Sequence, residues 1–98
     1  MPYIKLEERK EYDVLVDQLA EKLNILDNDV LCGHLNYVFS RLCWQLGGHK
    51  FQDGKKITAK NYARLNAVTG ALENAKLEFY RQVVSPYEDY KIAVNGSL

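Results

Sequence analysis

Asn28-Asp29-Val30-Leu31-Cys32-Gly33-His34-Leu35-Asn36-Tyr37-Val38-Phe39-Ser40-Arg41-Leu42-Cys43-Trp44-Gln45-Leu46 is the stretch whose reading decides the fold. Helical periodicity sorts it into three stripes: Leu31, Leu35, Val38, Leu42; then Cys32, Asn36, Phe39, Cys43, Leu46; then Val30, His34, Tyr37, Arg41, Trp44. Only Gly33, Ser40 and Gln45 are left for a polar side. A helix that is apolar nearly all round belongs in the middle of something. Three helices of this length cannot enclose one of their own members, so the surplus surface needs the terminal segment or another chain to cover it. Another chain is the favoured cover, which predicts a homo-oligomer, a dimer or higher, joined through this helix.

Outward from this segment, the pattern is helical on both sides. Upstream, Tyr12, Leu15, Val16, Leu19 and Leu23 recur at three and four, opposite Asp13, Asp17, Gln18, Glu21 and Lys22. This is an amphipathic helix over about 6–24, with Glu7 and Glu8 in its first turn, where the helix dipole favours carboxylates. The run Asn24 to Asp29 is rich in N-cap residue types, so the chain breaks there and restarts, and Gly47-Gly48 stops the second helix. Residues 49–57 read as a polar loop. Asp53-Gly54 is a hairpin dipeptide that could join two very short extended pieces around Phe51 and Ile57.

Thr58 is the expected cap of a long helix over about 59–84, in which Leu65, Val68, Leu72, Ala75, Phe79 and Val83 keep close to heptad spacing. Gly70 inside it costs about 1 kcal/mol relative to Ala and suggests the close approach of a neighbour. Ser85-Pro86-Tyr87-Glu88 combines a capping Ser, a Pro at the first helical position and a Glu three residues after the Ser. It predicts an end to the long helix and a short one over about 86–94, closed by Asn95-Gly96. The predicted class is therefore all-α: one domain, 1–98, of three main helices in an antiparallel bundle plus a short C-terminal helix.

Composition narrows the function. A chain of 98 residues is too short for two cores, and its 47% hydrophobic and 27% charged content is that of a folded protein. Thirteen Lys and Arg balance thirteen Asp and Glu, which removes the long-range positive field that nucleic-acid or anionic-membrane binding draws on. The N-terminal residues carry charges where a signal peptide needs an apolar run, and no stretch is apolar enough to span a bilayer, so a cytoplasmic location is expected. Cys32 and Cys43, roughly 16 Å apart on one helix, are too distant for a disulfide and read as reduced, mostly buried thiols.

Candidate site residues are polar ones where apolar ones would be expected. Asn36 interrupts an apolar stripe, and a buried amide there would need partners, either a ligand or groups across a helix interface. On the long helix Asn66, Thr69, Glu73, Lys76 and Tyr80 form a polar stripe beside the apolar seam. His34, Tyr37 and Arg41 could face Glu73 and Tyr80 across it. Such a cluster is a structural ion pair of Arg41 with Glu73, or else a small pocket for an anionic or aromatic ligand. Asp13, Asp17 and Glu21 are read as a solvated face rather than a Mg²⁺ site. His34 and His49 lack zinc spacing, and no nucleophile motif occurs, so neither a metal, a cofactor nor a catalytic residue is assigned.

The segments Gly33 to Leu42, Ala71 to Arg81 and Ser85 to Lys91 resemble those of a functionally uncharacterised family of small helical proteins of bacteria and phages. That resemblance implies a helical fold and transfers no catalytic residue. The all-α nucleoside triphosphate pyrophosphohydrolases, which hold Mg²⁺ with an ExxE motif and a later ExxD, offer a similar fold class. Here Glu73 is followed at three residues by Lys76, and Glu88 by Lys91. Three functions follow in order: a noncatalytic self-associating protein acting as a small scaffold or partner-binding module, a binder of a nucleotide-like anion, and a Mg²⁺-dependent hydrolase using Glu73 and carboxylates of the first helix. The order leans away from an enzyme.

Overall fold

A computed structural model describes residues 3–48, 50–52, 55–57 and 61–97. Helix α1 spans Leu6–Asn24 and α2 spans Asn28–Leu46. Strands β1 (Lys50–Gln52) and β2 (Lys55–Ile57) form an antiparallel hairpin with Phe51 opposite Lys56. Helix α3 (Tyr62–Phe79), a π-turn (Tyr80–Val84) and helix α4 (Ser85–Asn95) complete an architecture that is helical apart from the hairpin.

Local chemistry sets these boundaries. Glu7 and Glu8 occupy the first turn of α1 and Lys22 the last, each on the side the helix dipole favours. Asp27 is extended, and its carbonyl accepts from the N–H groups of Val30 and Leu31, which starts α2. Gly47 donates to the Cys43 carbonyl and Gly48 to that of Gln45, ending it. Gly47 is buried, and a methyl group there would lie 2.9 Å from Leu65 Cδ2. The absence of a side chain at residue 47 thus lets Leu65 of α3 pack closely on the end of α2.

Two sequence expectations about α3 need correction. Its cap is Asn61, whose Oδ1 accepts from the Arg64 N–H at 3.0 Å, so the helix starts at Tyr62 rather than 59. Thr58 lies outside the described residues, as do His49 and the Asp53-Gly54 turn. The break expected at Ser85-Pro86 does not occur. Ser85 is helical (φ −62°, ψ −45°), whereas an N-cap residue is extended, and its N–H donates to the Tyr80 carbonyl five residues back.

The reason is proline geometry. In an uninterrupted α-helix the Pro86 ring would crowd the carbonyl of Gln82 and leave it without a donor. Widening the preceding turn to a π-turn relieves that clash without stopping the helix. The Tyr80 hydroxyl then donates to Glu88 Oε2 at 2.9 Å, bridging the widened turn. The result is one rod, Tyr62–Asn95, about 51 Å long at 1.5 Å per residue, matching the longest dimension of the molecule, 53 Å. It ends at Gly96, whose φ of +85° suits glycine, with the Gly96 N–H donating to the Ile92 carbonyl.

The rod leaves the helices splayed. Helix α2 meets the C-terminal end of α1 and the N-terminal part of α3, whereas α1 and α3 do not approach one another, and α4 touches only the π-turn it continues. The segment before α1 instead reaches the far end of α3: the Tyr3 hydroxyl donates to Glu78 Oε1, and Gln82 Nε2 donates to the Tyr3 oxygen at 2.9 Å. In an up-down-up bundle Tyr3 would lie beside the start of α3, about 24 Å from Glu78 along the helix. These three helices are joined near their ends rather than packed along their lengths.

Consequently the described residues form no core of their own. Among the described residues no hydrophobic side chain is buried; Leu15 is 64% exposed and Phe79 60%. The radius of gyration is 17.2 Å, against about 13 Å for a compact chain of this length. Its accessible surface is 8869 Å², where a compact monomer of 11.3 kDa has about 5,700 Å², an excess of about 3,100 Å².

Candidate functional site

Grooves open on both sides of α2. The larger, about 620 Å³, lies between the C-terminal half of α1 and the N-terminal half of α2 and is lined by Leu19, Leu23, Leu26 and Val38 together with Lys22, Gly33, His34 and Tyr37. The second, about 360 Å³, lies between the C-terminal half of α2 and α3, where Leu42, Cys43 and Leu46 face Ala67, Val68, Ala71 and Leu72. Arg64 lines this groove too, and its Nε donates to the Leu46 carbonyl at 2.7 Å, tying the start of α3 to the end of α2.

The polar residues singled out in the sequence do not assemble into one cluster. Arg41 Nη1 donates to the Tyr37 hydroxyl at 3.0 Å along α2. Glu73 pairs with Lys76 one turn on, at 3.2 Å, and both are well exposed, so the ion pair expected between Arg41 and Glu73 is replaced by a local one. Such an exposed pair contributes little, because water screens it. Tyr80 is engaged with Glu88. That contact holds the Tyr80 hydroxyl above its usual range, since ionising it would place a phenolate beside a carboxylate. Of the candidates on α2, His34 and Tyr37 alone share a groove, while Asn36 is exposed, as is Asn66 on α3. Asn36 therefore has no burial within its own chain to compensate. Cys32 is exposed and Cys43 half-buried, both free thiols, which corrects the expectation that both are mostly buried.

Gly70 also departs from its reading. A methyl group at Gly70 would meet nothing within 4 Å, and the same holds at Gly33, so the close neighbour inferred for Gly70 is not supplied by this chain.

One polar cluster was not anticipated. Glu78 Oε1 accepts from Tyr3, Arg81 Nη2 and Gln82 Nε2. The bond from Tyr3, then those from Gln82 and Arg81, hold the Glu78 carboxyl down at about 2. Tyr3 lies 75 residues away in sequence, and helical spacing alone carries no signal of such a contact.

Glu8 and Glu11 on α1 do stand at ExxE spacing, but among the described residues no three His, Cys, Asp or Glu side chains converge as a metal site requires. No helix among the described residues is long and apolar enough to cross a membrane.

No curated protein and no solved structure matches the chain. A family model matches it from end to end, residues 1–98, and the chain belongs to that family, described as a domain of unknown function (DUF6899).

Proposed function

We propose that this protein is a noncatalytic, self-associating helical protein whose working form is a homo-oligomer, a dimer at least, that serves as a small scaffold or partner-binding module. The observation that carries this reading is the missing core. Folding must offset about 1–2 kcal/mol of backbone entropy per residue, chiefly by removing apolar surface from water, and this chain alone removes too little. Val30, Phe39, Leu42 and Leu46 of α2 are each more than 40% exposed, and α4 does not reach α2 to cover them. A second copy supplies the missing cover, and the antiparallel bundle anticipated for one chain becomes a property of the pair.

Scale supports the same reading. Stable interfaces bury about 800 Å² per partner, and obligate homodimers considerably more. The excess of about 3,100 Å² on this chain, about 6,200 Å² for a pair, lies at the upper end of the obligate range, where both partners together bury about 2,000–5,000 Å² or more. Sedimentation velocity at micromolar concentration tests it: the expected mass is at least twice 11.3 kDa. A monomer at tens of micromolar would remove the reading.

The binder of a nucleotide-like anion is supported by one feature, the placement of Lys22, His34 and Tyr37 in the lining of the larger groove, with Arg41 bonded to Tyr37. The leucines and valine of that lining suit an apolar occupant better than a phosphate. A thermal-shift series with nucleoside mono-, di- and triphosphates separates the two, since a nucleotide that binds raises the melting temperature with its concentration.

A further inference from the structure

We propose that two copies of this chain complete each other by reciprocal seating, the distal two thirds of each rod, residues 73–95, lying in the groove between α1 and α2 of the other copy. This deepens the self-association reading and rests on it.

One chain contains two unfilled places of matching kind. The first is the α1/α2 groove, a two-helix floor of Leu19, Leu23, Leu26 and Val38 with no third helix above it. The chain's own third helix is committed elsewhere, to the C-terminal half of α2 through Ala67, Val68, Ala71 and Leu72. The second is the distal rod. Phe79, Val83, Tyr87, Tyr90 and Val94 recur at steps of four, four, three and four, a single helical face, and each is between 53% and 61% exposed. A groove short of a helix and a helix short of a groove, both in one chain, are satisfied together by a two-fold exchange, in which the same two surfaces meet twice.

Dimensions fit the exchange. Residues 73–95 make about 34 Å of helix, ample to cross the groove, whose lining takes in residues 19–23 of α1 and 33–38 of α2, about 6–8 Å along each helix. The rod cannot bend back to fill its own groove while α3, the π-turn and α4 remain one continuous helix. Gly33 points the same way: it lines the groove in mid-α2, where glycine weakens a helix and where this chain places nothing near it. A helix laid into the groove accounts for the absence of a side chain there. The surface to be covered, about 3,100 Å² per chain, is far above what a standard interface of about 800 Å² per partner would use, as two interlocked seats require.

The test uses the full-length chain. Leu23→Asp spoils the groove and Val83→Asp spoils the rod; each alone damages both seats of a homodimer and weakens association. Mixing the two variants creates a heterodimer in which one seat is wholly wild type. The expected result is heterodimers at least about tenfold tighter than either homodimer, read by sedimentation of labelled mixtures. Mixtures no tighter than the separate variants would overturn the exchange. Should either variant fail to fold, Tyr87→p-benzoylphenylalanine in the otherwise unchanged chain decides. Photolysis is expected to give covalent dimers attached within residues 19–38. Dimers attached elsewhere would overturn the seating while leaving self-association standing, whereas a monomeric chain would overturn both.

Discussion

Gly33→Ala gives opposite results depending on whether the α1/α2 groove is empty or occupied. Residue 33 lies well inside α2, and a methyl group there would meet no atom within 4 Å in the isolated chain. Alanine is favoured over glycine by about 1 kcal/mol in a helix interior. For a chain of 98 residues a gain of that size raises the melting temperature by about 4–8 °C. If a partner helix crosses against Gly33, the methyl group meets it instead. Overpacking of a close contact costs about 1–3 kcal/mol, which cancels or exceeds the propensity gain. No rise is expected, and a fall of several degrees where the contact is tight. Differential scanning calorimetry at matched concentration reads the sign, and circular dichroism confirms that helix content is unchanged. A rise of the full 4–8 °C would refute the reasoning, because it would show open solvent where a partner has been placed.

Three further outcomes follow from the described geometry. Asn61→Ala removes the acceptor for the Arg64 N–H and should cost about 1 kcal/mol, seen as a lower denaturant midpoint with an unchanged slope. Pro86→Ala restores a backbone donor and removes the ring clash that the π-turn absorbs; the rod should gain stability, and Ser85 should bond four residues back instead of five, measurable by hydrogen exchange and NMR. Glu78→Gln tests an acid transition. The folded carboxyl is lowered to about 2 from 4.5, chiefly by the bond from Tyr3, so its contribution is complete above about pH 4.5 and is lost as the pH falls toward 2. The Gln variant should lack that portion of the acid-induced loss, whereas an unchanged pH dependence of melting would show that Tyr3 and Glu78 do not meet in solution.

What was legible in the sequence was periodicity and chain termination. Stripes at three and four residues identify helices whatever surrounds them, and Gly47-Gly48 and Asn95-Gly96 end helices because of what glycine permits locally. Helix α2 also declared its surplus of apolar surface, since no single side of it is polar enough to face water. The break assigned to Ser85-Pro86 was a false reading of a true signal. The capping pattern is present, but a π-turn offers proline a second way to be accommodated, and no one-residue preference distinguishes the two.

The candidate site was harder to read, for a physical reason. Arg41, Glu73, Lys76 and Tyr80 lie on the right kind of stripe, yet long polar side chains on an exposed helix find partners one or two turns away before reaching another helix. The contact of Tyr3 with Glu78 depends on where the chain before α1 crosses the rod, which is a tertiary property with no local signature.

The most direct test of the central claim is the dependence of unfolding on protein concentration. Urea titrations followed by circular dichroism at several concentrations across two decades suffice. If the fold exists only as an assembled pair, apparent stability rises by about 1.4 kcal/mol for each tenfold increase in concentration, and helicity falls away on dilution. A midpoint that does not move with concentration, in a chain that stays helical when dilute, would contradict the claim that this protein completes its core with a second copy of itself.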